Sequence, residues 1–99
     1  MSLHYDMERK ERDKLIQEIG EGVVVKRVIV DRHHRNGPEI HEISSTGIIT
    51  IYNKRTKKMI TKLIARVGQI ERYYNPWEHI PNELFKNALE HQRKGYNFY

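Results

Sequence analysis

A chain of 99 residues is too short for two independent hydrophobic cores, and its 37% hydrophobic and 31% charged residues, with the apolar positions gathered in periodic blocks, exclude wholesale disorder. The absence of cysteine removes disulfides, thiolate metal ligands and cysteine nucleophiles together, and makes the reducing cytoplasm the expected compartment. The net charge of +5 is uneven: residues 1–22 carry −2, residues 23–74 carry +7 and residues 75–99 are neutral, and no apolar run reaches the ~18 residues of a membrane span.

One domain over residues 1–99 is expected, with 1–3 read as an expression-vector leader and 96–99 as an aromatic tail. Asp6 to Ile19 reads as a helix, because Leu15, Ile16 and Ile19 form a stripe among strong helix formers, with Asp6 as N-cap and Gly20 and Gly22 as the stop. The alternating charges from Glu8 to Lys14 read as its solvated face. Val23 to Val30, rich in β-branched residues, predicts a central strand covered on at least one side. Asp31 to Pro38 breaks that pattern with Asn36-Gly37 and a proline, and so predicts a loop.

Glu39 to Ser44 reads as a short edge-like strand, since Ile40 and Ile43 do not share one face of a regular strand unless a bulge intervenes. Gly47 to Asn53 and Met59 to Arg66 predict a hairpin, joined by the polar connection Lys54-Arg55-Thr56-Lys57-Lys58. Val67 to Tyr74 suits a short helical turn with Val67, Ile70 and Tyr74 on one side. Pro76 and Pro81 punctuate the chain around Trp77, and Leu84, Phe85, Ala88 and Leu89 then predict a helix that stops at Gly95. The fold class is α+β: three or four mostly antiparallel strands covered by N- and C-terminal helices. The expected core is Leu15, Ile16, Ile19, Val28, Val30, Ile49, Ile51, Ile60, Ile64, Leu84, Phe85 and Leu89.

Three groups of residues bear on chemistry. Arg32-His33-His34-Arg35, with Glu39, His41 and Glu42, offers the acid, base and cations that metal-independent phosphodiester cleavage requires. In that reading His34 and His41 are the acid and base on opposite sides of one phosphate, Arg35 and Arg66 stabilise its charge, and Lys62 positions the backbone. The same histidines also suit a solvated or capping role. Adjacent His33 and His34 do not suit one tetrahedral zinc ion, and neither a metal nor a cofactor is expected.

The second group is the hairpin tip. Lys54, Arg55, Lys57 and Lys58, followed by Lys62, suit phosphate contacts, with Tyr52, Tyr73 or Tyr74 as stacking partners for bases, or else a solubilising turn. The third is aromatic. Tyr73, Tyr74, Phe85 and the partner candidates Trp77, Tyr96, Phe98 and Tyr99 either complete the core or meet another protein.

The helix-then-basic-sheet order over Asp6 to Tyr74, the Arg32-His33-His34-Arg35 cluster and the Lys58-Met59-Ile60-Thr61-Lys62 strand resemble the small ribonucleases of the RelE and barnase-like toxin group. That resemblance implies metal-independent RNA cleavage. One departure is the proline-punctuated helical segment that follows the last strand, where such toxins carry chemistry. The segments Ile80-Pro81-Asn82-Glu83-Leu84 and Glu90 to Asn97 are similar to small proteins of Gram-positive bacteria and their phages, a likeness that implies no activity. The expected function is a small basic accessory protein binding RNA or DNA through its sheet and hairpin tip. The alternatives are a metal-independent ribonuclease and an interaction module that docks its C-terminal aromatics on a protein partner or a second copy. No membrane is expected as a partner.

Overall fold

The computed structural model describes residues 2–31 and 37–96, with side chains from residue 9 onward. The chain forms α1 (Ser2–Ile19), β1 (Val24–Val30), β2 (Glu39–Ser44), β3 (Ile48–Asn53), β4 (Met59–Ile64), α2 (Val67–Glu71) and α3 (Asn82–Arg93). It is thus an α+β fold with one four-stranded antiparallel sheet in the order β1-β2-β3-β4. Among the described residues, no helix is long and apolar enough to cross a membrane.

Side chains alternate across a strand, so the register assigns each residue to one of two faces. The rows Lys26–Ile43–Ile49–Leu63 and Val28–His41–Ile51–Thr61 lie on the first face. The rows Arg27–Glu42–Thr50–Lys62 and Ile29–Ile40–Tyr52, together with Ile48–Ile64, lie on the second. α2 and α3 cover the first face, where Ile43, Ile49, Ala65, Ile70, Leu84 and Ala88 are buried together. Val67, Tyr73, Tyr74 and Ile80 close its border, as the spacing of Val67, Ile70 and Tyr74 predicts.

α1 runs alongside β4. Its stripe of Leu15, Ile16 and Ile19 meets Ile48, Ile64 and Tyr96 in a second cluster, and farther along the helix Arg12 reaches Thr61. Each fully buried Ile or Leu in these clusters contributes about 1.5–3 kcal/mol, which holds α1 to the sheet although the rest of its described surface is polar or charged.

The structure corrects several expectations. β1 is an outer strand rather than the central one, with Val23, Val24 and Val25 exposed at 68%, 55% and 38%. In a meander that follows chain order, the first strand has a neighbour on one side only. β2, expected at an edge, is interior to the sheet, and Ile40 and Ile43 are both buried without a bulge between them because each points to a different face. The register shifts fall instead between Val24 and Lys26 and between Ile51 and Tyr52.

In α3, Phe85 and Leu89 are exposed, and the buried line is Leu84, Ala88 and His91. Ile60 is also exposed, at the register shift beside the hairpin turn. α1 begins at Ser2, so Asp6 lies inside the helix rather than capping it.

Candidate nucleic-acid interface

The β3–β4 turn owes its shape to Asn53. The Asn53 side-chain carbonyl accepts from the backbone N–H of Arg55 at 2.8 Å and of Thr56 at 3.1 Å, while Lys57 N–H donates to the Asn53 backbone carbonyl at 2.8 Å. This Asx-type folding lets a non-glycine residue, Lys57, adopt φ of 64°. Its result is that Lys54, Arg55, Lys57 and Lys58 are all exposed. Lys54 N–H also donates to Pro38 O at 3.0 Å, which ties the basic turn to the end of the β1–β2 connection.

Below the turn, the second sheet face holds a shallow cleft of ≈ 210 Å³ lined by Arg27, Ile40, Glu42, Tyr52 and Lys57. Ile40 forms an apolar floor, half-buried Tyr52 is an aromatic wall, and Arg27 and Lys57 are the cations. Glu42 lies 3.8 Å from Arg27 Nε and offsets part of its charge. Lys62 stands on the same face two strands farther on, ion-paired with Glu21. An aromatic ring beside an apolar floor, bordered by cations, can hold a planar base and its phosphate.

His41 faces the other way. It lies on the first face, 6% exposed, with Nδ1 2.6 Å from Tyr73 Oη and Nε2 3.0 Å from Glu39 Oε1. The pattern fits the tautomer in which Tyr73 donates to Nδ1 and Nε2–H donates to the Glu39 carboxylate. Beside it, Lys26 Nζ is 2.5 Å from Glu78 Oε2 and 4.5 Å from the centre of the Tyr74 ring. The Lys26 hydrogen bond holds the Glu78 carboxyl below its ordinary range, aided by the Asn75 backbone N–H. Burial pushes the Tyr74 phenol up, in keeping with a hydroxyl that has no hydrogen-bond partner among the described residues.

The structure therefore separates residues that the sequence had grouped. Lys62 and His41 lie on opposite faces. Arg66 caps α2 beyond the far end of β4 from the turn, with the six-residue strand Met59–Ile64, about 20 Å long, between them. Tyr52 lines the cleft on the open face, whereas Tyr73 and Tyr74 pack beneath the helices. Trp77 is 81% exposed, and Tyr96 packs against the α1–sheet cluster with its ring centre 5.9 Å from that of His91.

The candidates His34, Arg35, Phe98 and Tyr99 lie outside the described residues, as do Arg32 and His33. Among the described residues, no group of three or more His, Asp or Glu side chains is placed to hold a metal ion. Arg27, which lines the cleft, was missed as a candidate. The signal was its place next to Lys26 in an otherwise apolar strand, where alternation must send the two cations to opposite faces. No family model, curated protein or solved structure matches the chain.

Proposed function

We propose that the protein binds nucleic acid along the second face of its sheet and the 54–58 turn. The observation that carries this reading is the Tyr52–Ile40 cleft flanked by Arg27 and Lys57, directly below four exposed cations of one turn. Tyr52 stacks a base, Arg27 and Lys57 meet its phosphate, and the turn extends the contact along the backbone. The α2–α3 layer on the opposite face fixes the sheet as a rigid platform.

The test is fluorescence anisotropy with single-stranded RNA and DNA oligonucleotides over a range of salt concentrations. Neutralising Lys54, Arg55, Lys57 and Lys58 together should weaken binding to all sequences and flatten the logarithmic salt slope by roughly one unit for each phosphate that the turn no longer neutralises. Tyr52→Ala should cost about 1–3 kcal/mol without changing the slope. Absent binding at low salt, or binding indifferent to both changes, refutes the reading.

A second reading is metal-independent RNA cleavage, favoured by the Glu39–His41–Tyr73 chain of hydrogen bonds. A carboxylate that orients an imidazole, which in turn holds a phenol proton, is an arrangement able to move a proton at Tyr73 Oη. Labelled RNA incubated in excess chelator should be cut by the parent chain and cut about 10²–10⁴-fold more slowly by His41→Ala. Equal cleavage by both proteins removes this reading.

A further inference from the structure

Between α1 and the outer side of β4 runs an open groove of ≈ 830 Å³, whose polar lining includes Arg9, Arg12, Asp13, Glu21, Thr61 and Lys62. Arg12 is the unusual member. Its side chain is only 9% exposed, yet the nearest carboxylate oxygen among the described residues is 3.5 Å away on Asp13, itself 60% exposed and adjacent in the chain. Among the described residues, its one hydrogen bond to another element goes to the Thr61 hydroxyl at 3.3 Å, and its Nε has no partner.

A guanidinium taken out of water is costly unless its charge is matched and its donors are filled. One hydroxyl and one weakly held surface carboxylate do not achieve this for five N–H groups. The Nε donor is therefore unsatisfied, and the side chain that carries it lines a cavity large enough for a ligand. Thr61 Oγ1 and Lys62 border the same space. The Lys62 ammonium has three donors, and its pairing with Glu21 leaves others to offer.

We propose that the α1–β4 groove is a binding site for a phosphate group, gripped by the Arg12 fork with the Thr61 hydroxyl and Lys62 as additional donors. A planar guanidinium, a hydroxyl and an ammonium bordering one groove offer donors in more than one plane, which suits a tetrahedral oxyanion better than a flat carboxylate. The bound group is either free phosphate or the terminal phosphate of the strand proposed above to lie on the sheet. The second source rests on that reading, since Lys62 stands in the row that begins at Arg27, three strand spacings or about 14 Å away.

The first experiment titrates the full chain with inorganic phosphate at constant ionic strength, following backbone amides by NMR, with chloride as control. Saturable shifts should centre on Arg12, Thr61 and Lys62, and Arg12→Gln should weaken phosphate binding about 10- to 100-fold. Arg12→Lys, which keeps the charge but loses the fork, should restore only part of it. No phosphate-specific shift, shifts centred elsewhere, or undiminished binding by Arg12→Gln overturns the proposal. Should Arg12→Gln fail to fold, the map on the parent chain and the loss on Thr61→Val decide in its place.

Oligonucleotides with and without a 5′-phosphate separate the two sources. Tighter binding of the phosphorylated strand, lost in Arg12→Gln, assigns the site to the nucleic acid, and equal binding assigns it to free phosphate. Neutralising Lys54, Arg55, Lys57 and Lys58 should leave inorganic phosphate binding intact, so the failure of the sheet interface and the failure of this site are distinguishable.

Discussion

Replacing Gly47 by alanine should destabilise the fold by about 2–3 kcal/mol, from two separable causes. Gly47 sits in the β2–β3 turn with φ of +84°, where its N–H donates to Ser44 O at 3.0 Å and its carbonyl accepts from Ala65 N–H at 2.8 Å. That left-handed conformation costs a residue with a Cβ about 1 kcal/mol or more. The new methyl would also stand 2.9 Å from His91 Cε1 and 3.3 Å from His91 Nδ1.

His91 has little room to retreat: it is 4% exposed, and its Nδ1–H donates to Ala65 O at 3.0 Å. Moving the ring stretches that bond, at a further cost of about 1–2 kcal/mol. In a His91→Ala background the obstacle is gone, and Gly47→Ala should cost only its backbone part. A double-mutant cycle measured by urea unfolding should therefore return a coupling of about 1–2 kcal/mol. If Gly47→Ala costs the same with and without His91, the packing argument is wrong.

The same imidazole sets a pH dependence. Burial holds the His91 pKa below its ordinary value near 6.5, so the unfolded chain binds the proton more readily. Stability should thus fall as pH drops below about 6.5 and level off below the folded value, and His91→Gln should lose this part of the slope in urea melts taken across that range. Tyr73→Phe removes the donor to His41 Nδ1 and should cost about 1–2 kcal/mol in the same assay, with an unchanged stability counting against the hydrogen bond. Lys26→Gln should move the Glu78 carboxyl up toward its ordinary range in a carbon-detected NMR titration, and a static Glu78 would show that Lys26 is not its dominant partner.

The β3–β4 hairpin was the most legible part of the sequence, because two apolar blocks flank a turn with four cations in five residues, and turn chemistry is local. Strand order was not legible. Val23 to Val30 reads as central because its composition is that of a buried strand, but its place at the edge is decided by which strands pair, a property that no window of the chain contains. Ile40 and Ile43 looked out of phase because a single buried face was assumed, whereas an interior strand that buries apolar side chains on both faces needs no single phase.

The α3 stripe misled for a different reason. Its third buried residue is His91, which no hydrophobic scale would place in a core, while Leu89 lies on the outside. The basic turn was visible as a candidate contact surface, and the cleft beneath it was not, since Arg27, Ile40, and the Tyr52–Lys57 pair come from three separate stretches of chain. The unsatisfied guanidinium of Arg12 was hidden in what reads as a solvated helix face, because its burial depends on β4, 49 residues away.

A sheet in which every strand pairs with its neighbour in sequence also bears on how the chain folds. All three strand pairings close over short connections, so hairpins can form on the microsecond scale, and little loop entropy opposes growth of the sheet from one hairpin to the next. The costly closure is the return of α1 onto β4, which spans the whole sheet in sequence. On loop-closure entropy that contact is expected to form late, at positions where mutations leave the folding rate almost unchanged and show up in unfolding instead. Weakening the Ile16–Ile64 contact should therefore shorten the lifetime of the native state while the chain still folds nearly as fast as before.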